Sequence, residues 1–163
     1  MNLKITKLLI GCSILFLTSF ASFAESRDPC SLLTLEKIHS VVEKDAAPGK
    51  HFFQWQTCKW QAVDSEGPLV TVSFLFVHQF YNFKRSGIEL IVPIKHLADD
   101  AFYLYHQPTF KVSKKDTFYL PTPPRLFFLT GEVGIEVTVY GMPDPQRAAD
   151  IERKLADEIA SAL

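Results

Sequence analysis

The side chains that could carry out acid–base or metal chemistry in this sequence gather around one acidic pair. Asp99 and Asp100 are flanked by two of the five histidines, His96 and His106. A zinc or copper site built from these four residues is conceivable. Tight metal sites usually show closer ligand spacing, and adjacent residues of an extended chain point in opposite directions. A turn before the next strand accounts for the acidic pair better, so no metal or other cofactor is predicted.

The short motifs of well-known catalytic and nucleotide-binding sites are missing from the sequence. It contains no GxSxG, HExxH, P-loop, GxGxxG or EF-hand pattern. Their absence leaves enzymatic activity open, and an uncharacterised hydrolase with His96, Asp100 and His106 as its first candidate residues is the alternative hypothesis. A non-enzymatic domain is the prediction that the sequence favours.

Residues 1–24 have the pattern of a secretory signal peptide. Lys4 and Lys7 precede an apolar stretch, residues 8–20, and small residues lead to a cleavage position after Ala24. This stretch is too short for a bilayer-spanning helix, which needs ~20 apolar residues. Cys12 lies in a pattern similar to a lipoprotein cleavage site, but cleavage there would leave residues 13–17, an apolar run, on the mature protein. We therefore expect cleavage near Ala24, no lipid anchor and no transmembrane segment in the mature protein.

Composition restricts what the mature chain, residues 25–163, can be. A chain of 163 residues with 47% hydrophobic residues suits one domain with its own core. Its 17 basic residues nearly balance its 18 acidic residues, so the basic surface of a nucleic-acid-binding protein is not expected. We expect a single domain in the periplasm or outside the cell, whose partner is an envelope or extracellular protein or a small ligand.

Two cysteines remain in the mature chain after the leader and Cys12 are removed. Cys30 and Cys58 form an even pair, and exported chains meet an oxidising compartment. They predict a disulfide that stabilises the fold by roughly 3–4 kcal/mol in the chain-entropy model. Two separate buried thiols are the alternative.

Aromatic residues are concentrated in three short segments, residues 52–55, 80–83 and 102–105. Alternate residues of a strand enter the core, so half of such a cluster needs no functional explanation. Aromatic side chains that remain on the surface are typical of partner surfaces. The candidate binding surface consists of Phe80, Tyr81, Phe83 and Tyr103.

Periodicity and turn residues predict an α+β domain. A short helix begins after Thr34 and ends by about Asp45, and residues 80–84 form a helix or a loop. Asp144 and Pro145 begin a C-terminal amphipathic helix. Strands are predicted at residues 58–62, 69–77, 101–106, 109–112, 126–130 and 133–140, with residues 88–94 as an edge strand or loop.

These elements predict a mostly antiparallel sheet of about five strands, with the N-terminal short helix and the C-terminal helix packed on it. Residues 69–77 carry apolar residues on both faces at their far end, which predicts a central strand. Gly131 and Glu132 connect the last two strands in a two-residue type II′ turn. The last strand, residues 133–140, alternates over its whole length, which predicts one buried face and one solvent-exposed face.

Three stretches of the sequence resemble a bacterial family. They are Asp-Pro-Cys-Ser-Leu-Leu-Thr at residues 28–34, Cys-Lys-Trp at 58–60 and Asp-Asp-Ala-Phe-Tyr at 99–103. The family comprises small secreted or lipid-anchored proteins of unknown function that begin Asp-Pro-Cys-Ser-Leu-Leu, and the likeness covers about residues 28–162. Family members carry glycines just before the acidic pair, where this chain has His-Leu-Ala. The resemblance implies an extracytoplasmic α+β domain with a Cys30–Cys58 bridge, and it implies no catalytic residue.

The sequence as a whole predicts an exported, non-enzymatic domain that binds a protein or a small ligand in the bacterial envelope or outside the cell. The two alternatives are the hydrolase described above and a secreted factor that acts on another cell.

Overall fold

A computed structural model of the chain describes residues 28–53, 55–65, 67–87, 90–105 and 123–163. The predicted signal peptide, His106 and the predicted strand at residues 109–112 lie outside the described residues.

An antiparallel sheet of seven strands forms the centre of the described part of the chain, in the order β1-β2-β3-β7-β6-β5-β4. The strands are β1 (Lys50–Phe52), β2 (Thr57–Gln61), β3 (Pro68–Phe76), β4 (Leu90–Pro93), β5 (Asp100–Tyr105), β6 (Arg125–Thr130) and β7 (Val133–Val139). The helices are α1 (Leu35–Val42), α2 (Val77–Lys84) and α3 (Pro145–Ala162), and a 3₁₀ turn, Pro29–Ser31, precedes α1. The predicted α+β class and antiparallel sheet are confirmed.

The sheet has more strands than the five or so that the sequence predicts. The difference lies at the two edges, where β1 has three residues and β4 has four. Strands this short show too few alternations for a period to be recognised. The prediction of an edge position for residues 88–94 is confirmed for β4, and β3 is central as predicted, since β2 and β7 pair with its two sides.

Local capping signals position the helices as the sequence predicts. The Thr34 side chain accepts a hydrogen bond from the Lys37 amide, and α1 ends at Glu43, whose φ of 57° is left-handed. The Asp144 side chain accepts a hydrogen bond from the Gln146 amide at the start of α3. The segment left open as a helix or a loop is a helix, α2.

The main core lies between one face of the sheet and the helices α1 and α3. It contains buried residues from all of these elements, among them Ile38, Trp60, Val72, Phe128, Val137, Leu155 and Ile159. A second, smaller core lies on the other face, where α2 covers β5, β6 and part of β7. Its buried members are Phe80, Phe102, Leu104, Phe127 and Leu129.

The prediction that one face of the last strand is solvent-exposed is wrong. Gly134 and Thr138 belong to that face, yet both are buried. A Cβ placed on Gly134 would come within 3.2 Å of the Phe80 Cβ, so α2 lies directly on the strand here. Alternation within one strand shows which residues share a face, but it does not show that a helix from elsewhere in the chain will cover the polar face.

Candidate functional site

The predicted polar site is not assembled by the fold among its described members. His96 is exposed, and its carbonyl accepts a hydrogen bond from Arg153 Nη2 at 3.1 Å. Asp99 Oδ2 accepts from the Gly131 amide at 2.7 Å, and Asp100 forms an ion pair with Lys84. Each residue therefore serves a separate local contact, which fits the structural interpretation of the acidic pair. His106, the fourth member, lies outside the described residues.

The predicted aromatic surface is not one exposed patch. Phe80 is fully buried, so its assignment to a binding surface is wrong. Tyr81 and Phe83 are half-buried and pack against the second core, with the Phe83 and Phe127 ring centroids 4.9 Å apart. Tyr103 lies on the other face of the sheet, and its hydroxyl donates to the Ala149 carbonyl at 2.6 Å. These aromatic residues hold α2 and α3 on the sheet.

Among the described residues, exposed aromatic side chains lie instead mainly at the turn that joins β1 and β2, and Phe76 of β3, 59% exposed, lies outside it. We call Phe52, Phe53 and Trp55 the aromatic turn. Phe52 is 44% exposed, Phe53 75% and Trp55 72%. The Phe52 and Phe53 ring centroids are 4.5 Å apart, and the Trp55 ring lies 4.1 Å from that of His51. The segment was one of three aromatic clusters visible in the sequence, and only its position at a sheet edge distinguishes it from the two that are buried.

The backbone of the aromatic turn is strained. Phe53 has a φ of 49° and Trp55 a φ of 67°, both in the left-handed region. Each such residue costs about 1–2 kcal/mol, and bulky side chains adopt this conformation rarely. The Gln56 amide donates to the Phe53 carbonyl at 3.1 Å, and the pairing of Phe52 with Thr57 closes the turn. The fold thus holds two large, mostly exposed apolar side chains on left-handed backbone.

Two lysines border the aromatic turn. Lys50 of β1 lies directly opposite Lys59 of β2 in the ladder, and Lys59 Nζ is 4.8 Å from the centroid of the Phe52 ring. By strand alternation both lysines lie on the sheet face opposite Cys58, away from the main core. Like charges placed directly opposite each other destabilise a sheet, so this pair does not favour the pairing of β1 with β2.

A second group of polar side chains surrounds the disulfide. The Cys30–Cys58 bond is present, which confirms the predicted pairing. His51 Nδ1 lies 3.9 Å from Cys30 Sγ, and His51 Nε2 lies 3.5 Å from Asp28 Oδ1. Asp28 Oδ1 in turn accepts a hydrogen bond from the Cys30 amide at 2.7 Å. In kind, these are the residues of a nucleophile, base and acid arrangement, but the bonded sulfur offers no thiolate to act as the nucleophile.

No sequence signal identifies this Asp28–Cys30–His51 group. His51 is separated from Cys30 by 21 residues, a spacing that matches no metal or catalytic motif. The disulfide fixes the 3₁₀ turn to β2, and β1 pairs with β2 so that His51 lies opposite Cys58. Tertiary structure alone therefore brings the three side chains together.

Glu152 is a buried carboxyl whose pKa is strongly raised. Its side chain projects from α3 and is fully buried, and burial raises its pKa from 4.5 to about 9, with a smaller contribution from Glu136. Glu152 Oε1 accepts a hydrogen bond from the Val139 amide at 2.9 Å. Val139 lies two residues beyond Val137, where the pairing of β7 with β6 ends. The carboxyl therefore satisfies a strand amide at the end of a ladder, which is a structural role. Burial also raises the pKa of Tyr103 above its ordinary range.

An open depression near the chain's C-terminus is lined by Ser31, Leu32, Ala162 and Leu163. It is lined by none of the histidines or acidic side chains described above, so it does not combine a cavity with convergent titratable groups, as an enzyme site would.

No protein-family model, no curated protein and no solved structure matches this chain. Within the described ranges, none of the helices is both long and apolar enough to cross a bilayer.

Proposed function

We propose that this chain is an exported, non-enzymatic binding domain of the bacterial envelope or the extracellular space, and that the aromatic turn is its binding surface. The observation that carries the proposal is the exposure of Phe53 and Trp55, at 75% and 72%, on left-handed backbone. Side chains this exposed bury little surface to offset the strain of their backbone, and strain of this kind clusters at functional sites.

Export is supported by two independent features. The first is the signal-peptide pattern of residues 1–24, with its basic start, apolar stretch and small residues before the cleavage position. The second is the Cys30–Cys58 disulfide, a bond that persists in oxidising compartments and is rare in the cytosol.

The occupant that the aromatic turn fits best is the interfacial region of a lipid bilayer. A small ligand is usually held in a concave pocket, whereas these rings stand on a turn at the edge of the sheet. Tryptophan is enriched at the headgroup level of membranes, where one end of the ring is wet and the other is apolar. Lys59 lies beside the Phe52 ring with Lys50 opposite it in the ladder, and both offer positive charge to anionic headgroups.

The expected affinity is modest. Burying a large apolar side chain contributes roughly 1.5–3 kcal/mol, and a lysine near an anionic surface about 1 kcal/mol. Two deeply inserted rings and two lysines therefore contribute about 5–8 kcal/mol before the cost of orienting the protein. Such binding is weak and reversible and depends on anionic lipid.

The test uses the mature chain, residues 25–163, and large unilamellar vesicles. One set contains phosphatidylcholine with about a third phosphatidylglycerol, and the other contains phosphatidylcholine alone. The protein has two tryptophans, of which Trp60 is 1% exposed and Trp55 is 72% exposed. A blue shift of the fluorescence on mixing therefore reports the transfer of Trp55 from water, and cosedimentation gives the bound fraction.

We expect a blue shift and cosedimentation with the anionic vesicles, and a smaller effect with the neutral ones. The double variant Phe53→Ser, Trp55→Ser should lose binding by cosedimentation. The matched control is Leu90→Ser with Val92→Ser, since these exposed apolar residues lie on β4 at the opposite edge of the sheet. The control variant should bind as the parent chain does.

Two results would overturn the lipid assignment. The first is no binding of the parent chain to either vesicle, and the second is equal binding by the Phe53→Ser, Trp55→Ser variant. If the parent chain does not bind the vesicles, and a purified envelope protein binds the parent but not the double variant, the occupant of the aromatic turn is a protein instead.

A further inference from the structure

The Asp28–Cys30–His51 group, together with Cys58, contains the ligand types of a zinc site. One ligand atom from each of Asp28, Cys30 and His51 lies within 4.8 Å of the others. The sulfur of Cys58 is bonded to that of Cys30 and so lies beside this group, although it is not one of the three atoms that are within 4.8 Å of one another. Thiolate sulfur and imidazole nitrogen are the preferred zinc ligands in proteins. While the disulfide is intact neither sulfur carries the negative charge that a metal ligand needs.

We propose that reduction of the Cys30–Cys58 disulfide converts this group into a zinc site, with the two thiolates and His51 Nδ1 as ligands. Asp28 is a positioning residue that holds the His51 ring through Nε2, and water completes the coordination. The site therefore exists in two forms, a disulfide when oxidised and a metal site when reduced.

The distances agree with this arrangement. Zinc–sulfur bonds of about 2.3 Å and zinc–nitrogen bonds of about 2.0 Å place the two ligand atoms of a tetrahedral site about 3.5 Å apart. Cys30 Sγ and His51 Nδ1 are 3.9 Å apart. The other ring nitrogen, Nε2, lies 3.5 Å from the Asp28 carboxylate. A ligand histidine usually has its second nitrogen on such a carboxylate, which sets the tautomer and the ring orientation.

The two sulfurs must separate for a metal ion to enter, and Cys30 is the residue able to move. Cys58 is fully buried, and a Cβ placed on Gly49 would approach its sulfur to 2.7 Å, so the backbone closes over it. Cys30 is half-buried in a short 3₁₀ turn. Rotation of its side chain opens the space without disturbing the sheet. Asp28 and His51 are partly exposed, so an ion and a water molecule can reach the site.

The reaction balances with a dithiol as the reductant. The dithiol supplies two electrons and two protons, the sulfur–sulfur bond breaks, two thiols form and the reductant closes its own disulfide. Binding of Zn²⁺ then displaces one proton from each thiol, so two thiolates offset the charge of the ion.

The experiment measures metal binding to the reduced mature chain under anaerobic conditions. A phosphine reductant avoids competing thiols, and Co²⁺ serves as the probe because thiolate ligation produces a charge-transfer absorption. We expect one Co²⁺ per reduced chain with this absorption, its displacement by Zn²⁺, and no such absorption with the oxidised chain. Near-ultraviolet circular dichroism follows whether the reduced chain stays folded.

Variants separate a built site from adventitious binding by free thiols. His51→Ala should weaken Co²⁺ binding at least tenfold, and Asp28→Asn should weaken it about 10- to 100-fold with the charge-transfer absorption retained. His78→Ala is the matched control, because His78 is exposed on α2 and stacks on Phe76, away from the disulfide. The Co²⁺ affinity of this variant should equal that of the parent. The proposal is overturned if the reduced chain shows no thiolate–cobalt absorption, or if His51→Ala binds as tightly as the parent, whether the reduced chain is folded or not.

Discussion

Glu152 makes the stability of this protein depend on pH, and one substitution should remove that dependence. The carboxyl is fully buried, with Oε1 bound to the Val139 amide and a pKa raised from 4.5 to about 9 by burial. The folded chain keeps the proton across the neutral range, whereas the unfolded chain releases it above pH 4.5. The stabilisation from this group is therefore complete below pH 4.5 and is lost as the pH rises toward 9.

The magnitude follows from the difference in bound protons. Where the folded chain holds one proton more than the unfolded chain, the free energy of unfolding falls by about 1.4 kcal/mol per pH unit. Between pH 5 and pH 7 the titration of Glu152 thus lowers the free energy of unfolding by about 3 kcal/mol. Glu152→Gln has nearly the same shape and stays neutral, so its free energy of unfolding should rise by about 3 kcal/mol relative to the parent over the same interval.

The assay is urea unfolding at pH 5, 6 and 7, followed by the fluorescence of the buried Trp60. All other titrating groups, Glu136 among them, are present in both chains, so their contributions cancel in the difference. Asp157→Asn is the control, because Asp157 is exposed on the same helix and pairs with Arg153. Its difference from the parent should stay within about 0.5 kcal/mol at every pH. A constant difference between Glu152→Gln and the parent would show that the buried carboxyl is ionised and would refute the argument.

Three further substitutions test the turn, the disulfide and its surroundings, each measured by urea unfolding at pH 7. Trp55→Asn should raise the free energy of unfolding by about 1 kcal/mol, because asparagine tolerates left-handed backbone; a loss would mean that the ring packs. Gly49→Ala should lower the free energy of unfolding by roughly 1–3 kcal/mol, since the new Cβ meets the sulfur of Cys58. A Cβ on Gly67 has no atom within 4 Å, so Gly67→Ala is the control and should leave the free energy of unfolding unchanged. Replacing Cys30 and Cys58 together by serine should lower it by roughly 3–4 kcal/mol, and no change would mean that the bridge adds no stability.

Elements with local signals were predictable. The hairpin of β6 and β7 forms as expected, with Gly131 at a φ of 58° in the first turn position, and α3 begins at Asp144. Each depends on two to four adjacent residues, so the chain around it need not be known. β1 and the burial of the polar face of β7 were missed, because a three-residue strand carries no period and because α2 reaches β7 only through the tertiary fold.

The candidate site was predictable in part. An even cysteine pair in a chain with a predicted leader is enough to predict the Cys30–Cys58 bond. The aromatic surface was placed on α2 instead of the β1–β2 turn, because the aromatic segments are alike in composition. Phe80 is fully buried and Phe53 is 75% exposed, and that difference is made by what packs against each residue.

The sequence by itself determined the α+β class, the starts of α1 and α3, the terminal hairpin and the disulfide, since caps, turns and cysteine pairing depend on the residue types of short segments. Only the tertiary structure decided which aromatic segment is exposed and that Asp28, Cys30 and His51 meet. Both depend on the order of strands in the sheet, which places β1 at an edge and beside β2. Strand order is set by the combined packing of residues far apart in the chain, and no single segment carries that information.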